Sequence, residues 1–409
     1  MVTIRLNEGW HDMTTTSDGY TVTPTSASVD GAPTLLLIHG FLDDATVWDG
    51  VIASLAGKVN TARYDLPGFG SRAGSVADPQ NLSLKSLAAE AGEILDGIDT
   101  PVIVVGQSLG SQVAELVAAD HPGWVDGLVL LTPVPLGGTR LPDETVAPFR
   151  ALGGDQHAQR VARTQLSPDL DEQQVERLAQ IGGSASPDVI ARYVDVWNDG
   201  VSDAPAVSAF PGPVLIIRGG ADAFVTEQLL GAISPRFPQA RIEAIDRGGH
   251  WLHVEYPEEV AATILEFSEA IANGKRAAGW RRGFAEQSQT IFVDEFADAI
   301  VLEASTLVTP IEGKERVAAT LAAASSIYET LEFTAEAGAG STSYLQWRAT
   351  AFGGMEIKGV TVLERDARGK VIAAAIHHRP MDAVLRFSAE MRDRLAGMIP
   401  ADHFIQETP

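Results

Sequence analysis

Hydrophobic and polar positions follow two different patterns along the chain. Up to about residue 272, short apolar runs alternate with segments whose apolar residues recur every three or four positions. The runs predict buried strands, and the three-to-four spacing predicts amphipathic helices. This alternation predicts a mostly parallel sheet with helices on both faces. The predicted strands span 3–7, 20–26, 34–38, 59–65, 102–105, 125–131, 213–219 and 241–246, and further helices are predicted at 48–55, 82–95 and 257–272.

Residues 134 to about 210 interrupt this alternation. The segment holds amphipathic stretches such as "PDVIARYVDVW" and no convincing strand, so it predicts a helical insertion.

The pattern changes again after residue 272. The stretch "NGKRAAGWRRG" (273–283) contains glycines and is locally basic, which is typical of a linker. Helices and then an antiparallel sheet predict a separate α+β domain at 284–409. Helices are predicted at 284–300, 315–328 and 381–395, and strands at 331–338, 342–352 and 357–378, the last divided by a turn at "DARGK".

Composition narrows the classes of function. The chain has 409 residues, a formal net charge of −24 and no cysteine. The negative charge argues against nucleic acid or an anionic membrane as a partner. The lack of cysteine excludes disulfides, thiolate catalysis and zinc–thiolate sites. It also fits a location in the cytoplasm. No signal peptide or membrane span is evident in the sequence. Nothing implies a metal or organic cofactor.

The pentapeptide Gly106-Gln107-Ser108-Leu109-Gly110 follows the predicted strand at 102–105 and opens an amphipathic helix. A serine there could simply cap the helix. Small neighbours on both sides instead suit a nucleophile held on a sharp strand-to-helix turn. The free N–H groups of the helix terminus would then stabilise a developing oxyanion.

A serine nucleophile needs a base and a carboxylate that orients the base. His250 follows the last predicted strand of the sheet, and Asp222 follows the one before it. Both should lie at the same sheet edge as Ser108. Asp246 is too close to His250 along one strand end to reach its ring, and His121 and His253 are interpreted as structural.

The loop after the strand at 34–38 reads His39-Gly40-Phe41-Leu42. Its Phe41 N–H, with that of Leu109, is the predicted oxyanion-binding pair. His39 is a candidate pocket residue, although a hydrogen bond that braces the loop is its expected role.

The motifs "LLIHGF", "YDLPGFGSR", "GQSLGS", "RGGAD" and "GGHWLHVEYPEEV", spread over 34–270, together resemble the α/β-hydrolase superfamily. The resemblance implies that the insertion at 134–210 forms a cap over the pocket. The superfamily includes esterases, lactonases, C–C bond hydrolases and cofactor-free peroxidases, and also dehalogenases and epoxide hydrolases, whose nucleophile is an aspartate. Trp251 resembles the residue beside the histidine of the C–C hydrolases and is a second candidate pocket residue. Those enzymes hold a substrate carboxylate with a cap arginine, for which the candidates are Arg160, Arg163, Arg177 and Arg192, although solvated helix faces are the expected position of each.

Residues 285–400 resemble the SnoaL-like, NTF2-like cone fold, through "TPIEGKERVAATLAA", "YLQWRATAFGG" and "VTVLERDARGKVIAAAIHHRP". Relatives of this kind are isomerases, cyclases, dehydratases, or modules that bind ligands or form dimers. A homodimer through this domain is therefore one expectation. His377 and His378 point to opposite strand faces, so at most one can line the cone. The polar residues of interest are His377, His378, Arg379, Asp294 and Glu303.

The sequence thus predicts a serine hydrolase that cleaves a small, mainly apolar carboxylic ester or lactone through Ser108, His250 and Asp222. C–C bond hydrolysis or cofactor-free peroxidase chemistry at the same residues is the alternative. A non-catalytic binding or dimerising protein is the alternative of another class.

Overall fold

The computed structural model describes residues 15–17, 20–22, 32–339, 341–366 and 369–406. Two compact units divide the chain, Met1–Ser268 and Glu269–Pro409. The predicted strand at 3–7 and most of the one at 20–26 lie outside the described residues. None of the helices in the described ranges combines the length and the apolar composition that a bilayer-spanning helix needs.

The first unit contains eight described strands, which are β1 (Thr15–Ser17), β2 (Tyr20–Val22), β3 (Thr34–Ile38), β4 (Asn60–Tyr64), β5 (Val102–Gln107), β6 (Val125–Leu131), β7 (Val214–Gly219) and β8 (Arg241–Ile245). Six of them form a parallel sheet in the order β4-β3-β5-β6-β7-β8. A separate antiparallel pair, β1 with β2, precedes this sheet along the chain. The strands predicted between residues 34 and 246 are all present, with ends shifted by at most two residues.

Helices cover this sheet because the central strands are apolar on both faces. Every residue of β5 is buried, and the helix that follows β5 packs Val113 and Val117 into the same core. The helices that begin in the first unit are α1 (Asp49–Leu55), α2 (Leu84–Leu95), α3 (Leu109–Asp120), α4 (Asp143–Arg150), α5 (Gln156–Leu166), α6 (Glu172–Gly182), α7 (Pro187–Asp199), α8 (Glu227–Ile233), α9 (Leu252–Glu255) and α10 (Pro257–Ala285).

The insertion between β6 and β7 is helical, as predicted, and consists of α4 to α7. Short polar side chains start three of these helices by accepting hydrogen bonds from backbone N–H groups of the first turn. Asp155 caps α5, Asp171 caps α6 in a capping box with Gln174, and Ser186 caps α7.

The linker predicted at 273–283 is wrong, because the whole segment belongs to α10. The division between the two units, at residues 268 and 269, falls inside this helix. Trp280 is fully buried in the core of the second unit, so this end of the helix has a packing face. A Cβ on Gly279 would overlap the side chain of Glu295, and one on Gly283 would lie 2.6 Å from Phe292 Cε1. Glycine therefore permits close helix packing here and does not mark a flexible connection.

The second unit is an α+β structure whose strands are β9 (Phe296–Ala304), β10 (Ile311–Glu312), β11 (Tyr328–Ala339), β12 (Thr342–Ala351), β13 (Met355–Arg365) and β14 (Val371–Arg379). They form one six-stranded sheet in the order β10-β9-β14-β13-β12-β11. Its remaining helices are α11 (Gln289–Glu295), α12 (Lys314–Ser325) and α13 (Met381–Arg394).

Two predictions for this unit are wrong. The helix predicted at 284–300 is replaced by the end of α10, α11 and the start of β9. The sheet is also mixed, because β9 pairs with β14 in parallel. Phe292, Phe296 and Ile300 recur at every fourth position, which satisfies helical spacing, but the edge of β14 gives the backbone of β9 a partner. The arms on either side of "DARGK" do pair antiparallel, and residues 367–368 of that turn lie outside the described residues.

Candidate active site

The loops that follow β3, β5, β7 and β8 meet at one edge of the parallel sheet. They carry Phe41, Ser108, Asp222 and His250. The carboxyl ends of parallel strands form the ligand-binding edge of such sheets. The topology therefore brings four predicted site residues together from distant parts of the chain.

Ser108 occupies a strained turn between β5 and α3. Its backbone angles are φ 52° and ψ −121°, and its side chain makes no hydrogen bond that caps α3. A non-glycine residue with positive φ costs on the order of 1–3 kcal/mol and persists only where its surroundings enforce it. The Ser108 hydroxyl contacts His250 and caps no backbone N–H of α3, so the capping role considered from the sequence does not apply to it.

The two glycines of the pentapeptide allow this turn to lie against neighbouring backbone. A Cβ on Gly110 would lie 2.5 Å from the carbonyl oxygen of Ile38 and 2.6 Å from that of His39. A Cβ on Gly106 would overlap the carbonyl oxygen of Gly110. Both glycines are therefore required by close approach.

His250 lies between Ser108 and Asp222. Its Nε2 is 2.9 Å from Ser108 Oγ, and its Nδ1 is 2.8 Å from Asp222 Oδ2. Because a carboxylate only accepts hydrogen bonds, Nδ1 carries the proton and Nε2 is free to accept one from the serine. All three side chains are buried.

Backbone contacts hold both partners of this chain of hydrogen bonds in place. Asp222 Oδ1 accepts from the N–H groups of Phe224 (2.8 Å) and Val225 (2.9 Å). The carbonyl oxygen of His250 accepts from Gln107 Nε2 at 3.0 Å and from Thr132 Oγ1 at 3.1 Å. Gln107 and Thr132 were not found from the sequence, although Gln107 stands inside the pentapeptide.

The loop after β3 is braced by His39, as expected. The ring is fully buried, Nδ1 contacts the carbonyl oxygen of Gly40 at 2.8 Å, and Nε2 accepts from Leu66 N–H at 2.9 Å. Both ring nitrogens of His39 are thus engaged in holding loops. Leu109, the other predicted oxyanion donor, is the first residue of α3, where N–H groups lack intrahelical partners.

Trp251 also makes structural contacts. Its indole Nε1 donates to Asp43 Oδ2 at 2.8 Å, and the guanidinium of Arg163 lies 4.6 Å from its ring centroid. Arg163 Nη1 in turn donates to Asp43 Oδ1 at 2.9 Å. The solvated position expected for Arg163 is wrong, because the side chain is fully buried.

The three other arginines considered in the insertion also have partners. Arg160 pairs with Glu176, Arg177 pairs with Asp49, and Arg192 donates to the carbonyl oxygen of Leu82.

An aromatic group that the sequence did not reveal lies beside His250. Phe224 stands edge-on to the His250 ring at 5.6 Å, and Trp197 of α7 lies 5.5 Å from Phe224. Phe149 of α4 and Phe41 both contact Trp197, with ring centroids 5.8 and 6.5 Å from that of Trp197, respectively. We call Phe41, Phe149, Trp197 and Phe224 the aromatic wall.

His253 is a buried structural histidine, in agreement with the sequence interpretation. The centroid of its ring lies 4.7 Å from that of Trp48, with the two rings tilted by 37°, and burial lowers the pKa of His253 to about 4. It is therefore neutral at ordinary pH and is not part of the chain formed by Ser108, His250 and Asp222.

In the second unit only His378 of the five polar candidates faces the interior. Its Nε2 contacts the hydroxyl of Tyr328 at 2.9 Å, its Nδ1 contacts Ser305 Oγ at 3.2 Å, and burial lowers its pKa to about 4. His377, Glu303 and Arg379 are exposed, and Asp294 contributes its carbonyl oxygen to Lys370. The apolar cavity beside His378 measures about 30 Å³, too small to enclose an organic substrate. No group of three potential metal ligands occurs among the described residues.

The model of the alpha/beta hydrolase family matches residues 35–263, more than half of the chain. The chain therefore belongs to the alpha/beta hydrolase family.

Individual proteins are similar to somewhat more than half of the chain. The sn-1-specific diacylglycerol lipase ABHD11 of Mus musculus is 23% identical over 254 residues, which cover 58% of this chain and 80% of the lipase. The pimeloyl-[acyl-carrier protein] methyl ester esterase of Cronobacter sakazakii is 26% identical over 253 residues, which cover 58% of this chain and 94% of the esterase. A bromoperoxidase structure from Bacillus anthracis superposes with a TM-score of 0.53 at 18% identity, covering 61% of this chain and 95% of that one, and shows the fold alone.

Proposed function

We propose that this protein is a serine hydrolase that cleaves a small, mainly apolar carboxylic ester or lactone. It is an ester-cleaving enzyme of the alpha/beta hydrolase family, in keeping with relatives named as a lipase and an esterase. The observation that carries the proposal is the hydrogen-bonded chain from Ser108 through His250 to Asp222 at the carboxyl edge of the sheet.

In the proposed acylation step, Ser108 Oγ attacks the substrate carbonyl carbon while His250 Nε2 takes the hydroxyl proton. Asp222 stabilises the imidazolium that forms and keeps its Nδ1–H in place. The oxyanion accepts hydrogen bonds from the N–H groups of Phe41 and Leu109. When the C–O bond breaks, His250 returns the proton to the leaving alkoxide, and an acyl-serine remains.

Deacylation repeats these roles with water as the nucleophile. His250 takes a proton from water, the resulting hydroxide attacks the acyl-serine, and Ser108 leaves with the proton that His250 returns. The strained turn at Ser108 supports both steps, because it keeps the hydroxyl on the His250 side of the helix terminus.

The proposed apolar character of the substrate rests on the aromatic wall. Phe41, Phe149 and Phe224 are only partly buried and lie around Trp197 beside His250. Aromatic faces of this kind suit an acyl chain or a ring.

The contacts of the insertion arginines weigh against the C–C hydrolase alternative. That alternative needs an arginine to hold a substrate carboxylate, whereas Arg160, Arg163, Arg177 and Arg192 are all engaged with the protein itself. The ester or lactone is therefore preferred to a substrate that carries a carboxylate beside the scissile bond.

Labelling with a fluorophosphonate tests the proposal. The wild type is expected to be labelled and to hydrolyse p-nitrophenyl butyrate, and Ser108→Ala is expected to lose both properties. Ser54→Ala is the control, since the Ser54 hydroxyl donates only to Gly50 within helix α1. An unlabelled wild type without esterase activity would favour a binding protein. Rapid cleavage of a vinylogous diketone with slow ester cleavage would favour C–C hydrolysis.

We also propose that residues 269–409 form an NTF2-like module that assembles homodimers through its sheet. Tyr344 and Val360 are exposed apolar side chains on the same face of β12 and β13, which supports assembly through the sheet. Sedimentation of wild type and of Tyr344→Glu should then show a dimer and a monomer, respectively. An unchanged sedimentation coefficient would contradict this role for the sheet.

A further inference from the structure

A buried group of three side chains connects two loops of the candidate active site. Asp43 lies two residues after Phe41, and Trp251 directly follows His250. One carboxylate oxygen of Asp43 accepts from Trp251 Nε1 at 2.8 Å, and the other accepts from Arg163 at 2.9 Å. We call Asp43, Arg163 and Trp251 the bridging cluster. It spans the gap between the proposed oxyanion donor and the proposed base.

The cluster also fixes the backbone on both sides of that gap. Arg163 Nη2 donates to the carbonyl oxygen of Leu42 at 2.7 Å, and Leu42 has a φ of 68°. A bulky residue in the left-handed region is strained, so the conformation next to Phe41 needs external support. Arg163 supplies a charged hydrogen bond at that point.

The end of helix α5 holds the other loop. The carbonyl oxygen of Leu166 accepts from His250 N–H at 2.8 Å, and Ser167 Oγ accepts from Trp251 N–H at 2.7 Å. Ser167 is itself buried and lies 3.2 Å from the carboxylate of Glu255. One helix of the insertion therefore contacts the loop of Phe41 and the loop of His250 together.

Stability alone does not account for this cluster. Asp43 and Arg163 are fully buried, Trp251 is 4% exposed, and Arg163 Nε has no partner among the described residues. A buried ion pair costs desolvation that its attraction often fails to offset, and apolar residues of similar volume are commonly as stable. We therefore attribute the position of this ion pair, in contact with both loops of the site, to a role in fixing the loops relative to each other.

We propose, on the basis of the serine hydrolase function above, that Asp43 is a positioning residue. It holds the Phe41 N–H and the His250 ring at a fixed separation across the substrate carbonyl, through Trp251 on one side and Arg163 on the other. Helix α5 is thereby part of the framework that positions the two loops of the site. Catalysis is sensitive to errors of about 1 Å in such placement, which can lower rates by up to about 100-fold.

Trp251→Phe is the sharpest test, because it deletes the hydrogen bond to Asp43 and leaves the ion pair in place. We expect kcat per fluorophosphonate-titrated serine to fall about 10-fold, with KM within about twofold. The affinity of a boronic acid that mimics the tetrahedral intermediate should fall by the same factor. Trp48→Phe is the matched control, since Trp48 is fully buried in the same unit and its Nε1 has no partner among the described residues.

A purely structural role for Trp251 would lower the midpoint of thermal unfolding while leaving kcat per titrated serine and inhibitor affinity unchanged. That result would overturn the proposal. Asp43→Asn should reduce kcat more than Trp251→Phe, because it weakens both arms of the bridge. If that variant fails to fold, Trp251→Phe still decides the question.

A readout without turnover separates this proposal from the function on which it rests. The low-field proton resonance of His250 Nδ1–H, assigned by its loss in His250→Gln, should shift in Trp251→Phe and stay in place in Trp48→Phe. If fluorophosphonate fails to label the wild type, the serine hydrolase function is wrong, and the resonance still shows whether the cluster positions His250. An unshifted resonance with unchanged kcat means that Asp43 does not position the base.

Discussion

The two carboxylate oxygens of Asp222 have different hydrogen-bond partners. Oδ1 accepts two backbone N–H groups, and Oδ2 contacts His250 Nδ1. The first pair fixes the carboxylate, so the second contact decides which nitrogen of His250 carries the proton.

Asp222→Asn should therefore change the tautomer without moving the loop. The asparagine Oδ1 can keep both backbone hydrogen bonds, while its NH₂ group faces Nδ1 and favours the proton on Nε2. Ser108 then has no acceptor for its proton. We expect kcat/KM for p-nitrophenyl butyrate to fall about 10³- to 10⁴-fold, with the free energy of unfolding changed by less than about 1 kcal/mol.

Asp246→Asn is the matched control for this measurement. Asp246 lies between β8 and His250 but is exposed and makes no contact with the ring that the structure describes. Its variant should keep kcat/KM within about twofold. A large loss at Asp246 with none at Asp222 would show that the carboxylate has been assigned to the wrong residue.

The difference between predicted and unpredicted site residues has a physical origin. Ser108, Asp222 and His250 each follow a recognisable strand, and parallel strands place their carboxyl ends together, so chain order alone implied their proximity. Arg163 and Asp43 pair across 120 positions of sequence. Arg163 in "QHAQRVARTQL" has the spacing of an ordinary solvated helix face, and only the packing of α5 onto the loops shows otherwise.

Helix α10 shows how composition can mislead about an element. Its glycines and basic residues at 273–283 are typical of a linker, yet the buried Trp280 gives the segment a face to pack. The helix predicted over the start of β9 is wrong for a different reason. There the apolar spacing fits a helix, and a strand forms because β14 offers an edge for pairing. In both cases the deciding partner lies elsewhere in the chain.

A pair of substitutions distinguishes a packed helix from a linker. Gly274→Ala should raise the free energy of unfolding by about 0.5–1 kcal/mol, because alanine favours the helix and no described atom lies within 4 Å of the new Cβ. Gly279→Ala should lower it by about 1–3 kcal/mol, since the new Cβ overlaps Glu295. Urea denaturation measures both, and equal, negligible effects would mean that the segment is a flexible linker.

Burial keeps His253 neutral in the first unit and His378 neutral in the second, and this affects the stability of both units. Burial lowers the pKa of His253 in the first unit and of His378 in the second from 6.5 to about 4. Below pH 6.5 the unfolded chain therefore binds protons that the folded chain does not. The contribution of these two histidines to the free energy of unfolding should therefore be constant above pH 6.5 and decrease as the pH falls toward 4. At pH 4 each histidine lowers the free energy of unfolding by about 3 kcal/mol relative to its value above pH 6.5.

His378→Gln tests this linkage in the second unit. The substitution removes the titrating ring, so the free energy of unfolding from urea titrations between pH 7 and pH 4.5 should decline less steeply than in the wild type. Burial raises the pKa of Glu255 and of Glu336, which opposes the decline, but these groups are common to both proteins and cancel in the comparison. His377→Gln is the control on the same strand, because it replaces an exposed ring and leaves the His378 ring in place. Equal slopes in His378→Gln and the wild type would show that His378 accepts its proton as readily in the folded chain as in the unfolded one.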